Sequence, residues 1–216
     1  SRRALTFGLL FIDADLDGDQ RPDLLRLVAG ASATIPVALE IRLAAAGFRP
    51  QILGRASGLV ALQAADLDQD GRADLVATGP AGALRFRAGT PGFTPWPAAG
   101  AEPAIRGGAL AALDFDLEGD LDLALAGAGA PGGELLRSAA PDPLVALGAR
   151  VLPTLALGGV RRLLASDLDR DGDPDLVAAG DAGLFWLDNL RQGRFADRTG
   201  AAKLAGTGPL FDVASA

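Results

Sequence analysis

The feature that most limits what this chain can become is a ten-residue acidic pattern that occurs four times. The copies are DLDGDQRPDL at 15–24, DLDQDGRADL at 66–75, DFDLEGDLDL at 114–123 and DLDRDGDPDL at 167–176. Acids stand at positions 1, 3, 5 and 9 of each copy and Leu at position 10, and the copies start 51, 48 and 53 residues apart. Self-similarity at a period of about fifty residues means one structural unit stacked several times. The crowding also poses a physical problem, because like charges at ~4 Å repel by about 1 kcal/mol even in bulk water. The fold has to offset that repulsion at four places.

Apolar runs of strand length flank the acidic stretches: GLVALQAA and DLVATG in the second unit, GALAAL and DLALAG in the third, VRRLLAS and DLVAAG in the fourth. Ala and Leu also favour helix, but the closely spaced glycines leave no room for one. Further strand-like segments complete the units: PVALEIR and FRPQIL, GALRFRA and GFTPW, ELLR and LVALGARV, GLFWLDN and GRFADRT. In ALRFR the alternation puts Leu84 and Phe86 on one face and Arg85 and Arg87 on the other. About four short antiparallel strands per unit predict an all-β fold, a β-propeller of four-stranded antiparallel blades at about 1–56, 57–106, 107–157 and 158–207. The tail GPLFDVASA, 208–216, repeats the apolar approach to an acidic loop and reads as the start of a further blade. The four loop-bearing blades are therefore expected to be a piece of a larger propeller of six to eight, and the isolated chain is expected to self-associate or to be marginally stable.

Oxygen ligands at alternate positions of a tight loop converge on one point, which suits a hard cation taking 6 to 8 oxygens at about 2.3 to 2.6 Å. Calcium fits this better than magnesium, which prefers to keep several waters. Up to four Ca2+ are expected, held by Asp15, Asp17, Asp19 and Asp23; by Asp66, Asp68, Asp70 and Asp74; by Asp114, Asp116, Glu118 and Asp122; and by Asp167, Asp169, Asp171 and Asp175. Position 7 would add a backbone carbonyl. An EF-hand opens the same way but closes with a bidentate Glu at position 12, where this chain has Arg26, Ala77, Leu125 and Ala178. Sixteen of the 27 Asp and Glu are these expected ligands, and four divalent cations would bring the net charge from −7 to +1. Loops two and four keep the full pattern, whereas loop one has Gln20 at position 6 in place of Gly and loop three has Glu118 at position 5.

The repeats resemble the FG-GAP or VCBS type, the calcium-loop propeller blade of integrin α-chains and many bacterial surface proteins. Phe7-Gly8 precedes the first loop, Gly129-Ala130-Pro131 follows the third, and LFWLDNLRQGRFADRTG is similar to the strand pair of bacterial VCBS repeats. The resemblance covers all four units. It implies a propeller fold, calcium sites and usually an extracellular setting, and it implies no single activity.

Composition narrows the function. With a net charge of −7 and no Lys/Arg-rich run, the chain has nothing to neutralise phosphates, which argues against nucleic acid and anionic membrane as partners. It has no Cys, His or Tyr and a single lysine, Lys203, so catalysis would fall to carboxylates and arginines. No apolar run is long enough for a membrane span. The start SRRALTFGLL has neither an initiator Met nor the pattern of a signal peptide and reads as the interior of a longer precursor.

The expected function is a non-catalytic calcium-binding adhesion, interaction or scaffold module of a secreted or cell-surface protein, presenting loops to a protein or glycan ligand. Extracellular calcium sites bind at about 10⁻⁴ to 10⁻³ M, which places such a module outside the cell, on its surface or in a periplasm. One alternative is a polysaccharide lyase or hydrolase, its catalytic pair drawn from Glu40, Glu102, Glu134, Asp181 or Asp197. The other is a lectin-like glycan binder with an exposed aromatic. Trp96, between prolines, is expected to be exposed, Trp186 to be core, and Asp188-Asn189 to serve a hairpin.

Overall fold

The computed structural model describes residues 11–29, 36–89, 92–96, 108–127, 130–139, 142–146, 159–204 and 208–209. Phe7-Gly8, Gly129, Glu102 and residues 210–216 lie outside them. Sixteen strands of the described residues form four antiparallel sheets, each of four strands in chain order. The first sheet holds β1 (Phe11–Ala14), β2 (Asp23–Val28), β3 (Val37–Arg42) and β4 (Gln51–Ala56), and the second β5 (Ala61–Ala65), β6 (Asp74–Gly79), β7 (Gly82–Gly89) and β8 (Gly92–Pro95). The third holds β9 (Ala109–Leu113), β10 (Asp122–Gly127), β11 (Ala130–Ala139) and β12 (Asp142–Ala146), and the fourth β13 (Val160–Ser166), β14 (Asp175–Gly180), β15 (Gly183–Asn189) and β16 (Phe195–Asp197). Each acidic pattern joins the first strand of its sheet to the second.

The sheets stack face to face, which explains why the second strands read as continuous apolar runs. DLVATG, DLALAG and DLVAAG are buried along their whole length; in the first two, one face meets the sheet before and the other the sheet after. Leu25, Leu27, Leu39 and Ile41 of the first sheet pack with Leu62, Leu75, Ala77 and Phe86 of the second. Leu67, Val76 and Trp96 of the second pack with Leu110, Leu123 and Leu125 of the third. Ala111, Phe115, Ala124 and Leu135 of the third pack with Leu163, Leu176, Ala178 and Leu187 of the fourth. Neighbours in β10 thus point to opposite interfaces, and each fully buried Leu contributes about 1.5 to 3 kcal/mol.

The first strands β1, β5, β9 and β13 lie side by side in that order, and among the described residues β13 makes no comparable contact with β1. The second strands of the last three sheets end on Gly79, Gly127 and Gly180, where a Cβ would sit 1.8 Å from the Gly58 carbonyl oxygen, 2.4 Å from that of Val160 and 2.3 Å from that of Gly159. Glycine is required there by close backbone approach.

Three sequence expectations change. FRPQIL does not begin a strand at Phe48, because residues 44–48 form a turn with Phe48 at a φ of 57° and β4 starts at Gln51. The last strand of the third sheet is Asp142–Ala146, which starts two residues before LVALGARV, and 147–151 of that run lie outside the described residues. Trp96 is buried, 9% exposed. Its amide donates to the Arg85 carbonyl at 3.0 Å, which extends the β7–β8 ladder by one residue and turns the ring into the interface between the second and third sheets. The guanidinium carbons of Arg87 and Arg85 stand 4.6 and 5.9 Å from its ring centre. The flanking prolines suggested exposure and were silent about this packing.

Candidate metal centres

The four acidic loops share one backbone. Positions 4 and 6 are left-handed in every copy: Gly18 and Gln20 at 79° and 64°, Gln69 and Gly71 at 60° and 85°, Leu117 and Gly119 at 61° and 94°, Arg170 and Gly172 at 64° and 93°. Each loop has one glycine for two such positions, and loop one carries it at position 4 rather than 6. This conformation turns peptide N–H groups inward onto the carboxylates. The position 6 amide donates to position 1 in all four loops: Gln20 to Asp15 at 2.8 Å, Gly71 to Asp66 at 2.9 Å, Gly119 to Asp114 at 2.8 Å and Gly172 to Asp167 at 3.2 Å. The position 5 amide donates to position 3 in three of them, Asp19 to Asp17, Asp70 to Asp68 and Asp171 to Asp169, each at 3.2 Å. These charge-assisted bonds offset part of the repulsion that the sequence implies.

The carboxylate oxygens of positions 1, 3 and 5 come within 4.8 Å of one another in loops one, two and four, gathering Asp15, Asp17 and Asp19; Asp66, Asp68 and Asp70; and Asp167, Asp169 and Asp171. In loop three the group is Asp114, Asp116, Asp120 and Asp122. Asp120 was missed because position 7 was assigned a backbone role. Its only sequence signal is a carboxylate at that place. Glu118 stands outside the group and pairs with Arg137, which also reaches Asp116 at 2.9 Å.

The acids at position 9 also hold each loop to its sheet. Asp23, Asp74 and Asp175 lie outside these groups, and they and Asp122 are completely buried. Position 9 opens the second strand, and each carboxylate bridges the position 2 amide and an amide at the end of the third strand or, in blade one, just past it. Asp23 accepts from Leu16 and Ala44 at 2.9 and 2.7 Å, Asp74 from Leu67 and Ala88 at 3.1 and 2.9 Å, and Asp122 from Phe115 and Ser138 at 3.3 and 2.7 Å. Asp175 accepts from Leu168 and Asn189 at 3.2 and 2.9 Å, and from the Trp186 indole N–H at 3.0 Å. In all four loops this acid clamps the loop to the sheet.

The electrostatics suit a cation. Desolvation, reinforced by neighbouring acids, raises the carboxyls of Asp17, Asp120 and Asp169 above the ordinary carboxylate range. Burial pushes Asp74 up to about 6 and Asp122 up to about 7, although backbone hydrogen bonds act against it. Loop three fits a hard cation by a further observation: Asp116 and Asp120 each keep a buried Oδ1 without a hydrogen-bond partner. The donor sets consist of oxygen alone, as calcium requires.

The remaining acids considered for catalysis are dispersed. Glu40 lies between Arg26 and Arg42 at 2.8 and 2.7 Å. Burial would raise it, but the two guanidinium groups outweigh burial and hold it below the ordinary range. Asp181 pairs with Arg161 at 2.6 Å, and Asp197 accepts the Thr199 amide at 2.9 Å. Asp188 pairs with Arg198 at 2.7 Å.

Comparison with known proteins agrees with the repeat. No curated protein sequence matches the chain. Among solved structures, the chain is similar to one from a study titled for specific recognition of non-reducing terminal N-acetylglucosamine by an Agrocybe aegerita lectin, with a TM-score of 0.56 and 19% identity. The likeness covers 94% of this chain and 56% of that one, so the chain spans little more than half the length of its structural neighbour. The model of the FG-GAP-like repeat matches residues 15–77 and again 66–125, together just over half of the sequence and three of the acidic loops. The chain belongs to the FG-GAP-like repeat family.

Proposed function

We propose that this chain is a non-catalytic, calcium-binding interaction module whose four sheets are consecutive blades of a propeller larger than four, working outside the cytoplasm on a glycan or protein ligand. The observation that carries the reading is the convergence of three or four carboxylates within 4.8 Å at the same place in all four blades. Calcium would be held by Asp15, Asp17 and Asp19; by Asp66, Asp68 and Asp70; by Asp114, Asp116, Asp120 and Asp122; and by Asp167, Asp169 and Asp171. Bound there, it supplies charge neutralisation and a crosslink within each loop. The chain's own amides and position 9 acids shape the loops for it. A ring larger than four is supported by the lack, among the described residues, of a β13–β1 contact comparable to those between successive first strands, and by the longer structural neighbour.

A non-catalytic role is supported by the dispersal of Glu40, Asp181 and Asp197 among separate partners. The burial of Trp96 removes one aromatic platform for sugar, so any glycan contact falls to other surfaces. The test is a glycan array in millimolar calcium and in EGTA, led by terminal N-acetylglucosamine as the sugar of the structurally similar lectin, beside a depolymerisation assay on the same glycans. Calcium-dependent binding without chain cleavage supports the reading. Cleavage of any glycan overturns its non-catalytic part.

A further inference from the structure

The residue that meets the position 9 acid from the third strand also reaches the preceding blade. The Ser138 amide donates to Asp122, and its hydroxyl donates to the Leu67 carbonyl of the blade before it at 3.0 Å. The Asn189 amide donates to Asp175, and its side-chain Nδ2 donates to the Phe115 carbonyl of the blade before it at 3.0 Å. Leu67 and Phe115 occupy the same position 2 of their loops, and their own amides are held by Asp74 and Asp122. Ser138 and Asn189 are 3% and 1% exposed.

The bonds join end to end. One hydrogen-bonded line runs from Asp74 through Leu67, Ser138, Asp122, Phe115 and Asn189 to Asp175, passing through the acidic loops of blades two, three and four. Blade one lies outside it, because the corresponding residues are Ala44 and Ala88, which have no side-chain donor. At the junction between blades one and two there is instead a cavity of about 170 Å³, lined by Leu16, Asp17, Leu43, Arg72, Ala88 and Phe93.

We infer that this line makes the loops of blades two, three and four order and open as one unit, while loop one opens independently. A buried carbonyl that loses its only side-chain donor bears the full desolvation cost, so opening one loop weakens the peptide that holds the next. The inference does not depend on a bound cation. Ser138 and Asn189 are positioning residues in this scheme, acting on loops in a blade other than their own.

Amide hydrogen exchange on the full chain in EGTA tests it at four equivalent amides, those of Leu16, Leu67, Phe115 and Leu168. Asn189→Ala should speed exchange about tenfold at Phe115 and severalfold at Leu67, two blades away, and leave Leu16 unchanged. A rise confined to Phe115, or one shared equally by Leu16, overturns the coupling. The second variant adds a bond. Ala88→Ser places a hydroxyl in the cavity at the position from which Ser138 reaches Leu67, and should slow exchange at Leu16 about tenfold by joining loop one to the line. Unchanged exchange at Leu16 in a folded Ala88→Ser chain overturns the inference.

Discussion

Arg87 Nε lies 2.8 Å from Oδ2 of Asp68, a carboxylate only 7% exposed at position 3 of loop two, and Arg137 stands in the same relation to Asp116 of loop three at 2.9 Å. Both arginines are next to the third-strand residue that meets the clamp. The equivalent residue is Leu43 in blade one and Asp188 in blade four. Loops two and three thus carry a third-strand arginine on position 3, whereas loop one has Arg21 on Asp19 and in loop four Arg191 reaches Asp173 at 2.6 Å.

Arg87→Ala should therefore strengthen calcium binding at loop two. The guanidinium is more than a third exposed, so the pair is worth about 0.2 to 1 kcal/mol, and the gain should be about 1.4- to fivefold in affinity. Calorimetric titration of the variant reads it. Weaker binding after the substitution would mean that Arg87 helps to shape the site.

Within loop four, the two kinds of acid should behave differently. Asp175→Asn leaves one of three buried N–H donors without its acceptor and should cost about 1 to 3 kcal/mol with or without calcium. Asp169→Asn, at an exposed residue, should change metal-free stability little and reduce the stabilisation that calcium adds. Urea unfolding of both variants in calcium and in EGTA distinguishes them. Equal calcium dependence of the two losses would remove the distinction between clamp and ligand.

Gly79→Ala should be among the most damaging small substitutions, because its methyl would lie 1.8 Å from a backbone oxygen. A loss above about 3 kcal/mol is expected, as for other severe overpacking. Gly71→Ala is the comparison: φ is +85° with nothing within 4 Å, so only the left-handed conformation counts, at about 1 to 2 kcal/mol. Chemical denaturation of both should rank them in that order.

Without calcium, stability should fall as pH rises from about 4 to 7. Asp74 near 6 and Asp122 near 7 hold their protons more tightly folded than at the ordinary 3.8. Their contribution is complete below about 4 and is lost as pH rises through 6 and 7, by up to about 1.4 kcal/mol per pH unit for each group. Urea midpoints across this range in EGTA check the sign. A midpoint that rises with pH would contradict it.

Much of this was legible in the sequence, for physical reasons that differ between residues. The four copies and their period announced stacked sheets, and Leu84 and Phe86 against Arg85 and Arg87 gave a strand with two faces, because alternation is written residue by residue. Asp23, Asp74, Asp122 and Asp175 were readable only as ligands, because sequence records charge and spacing. Their role as clamps depends on burial and on amides 14 to 21 residues away. Trp96 and the tie from Asn189 to Phe115 are contacts between blades, and no local pattern encodes them. Asp120 was readable as an acid, but only the folded loop brings it beside Asp114 and Asp116.

The most direct test is thermal unfolding of the metal-stripped chain in millimolar calcium and in excess EGTA. If the four loops bind calcium in the folded state alone, each site adds about 2.7 kcal/mol at a hundredfold excess over Kd, and the transition in calcium should lie well above that in EGTA. Coincident transitions would contradict the account.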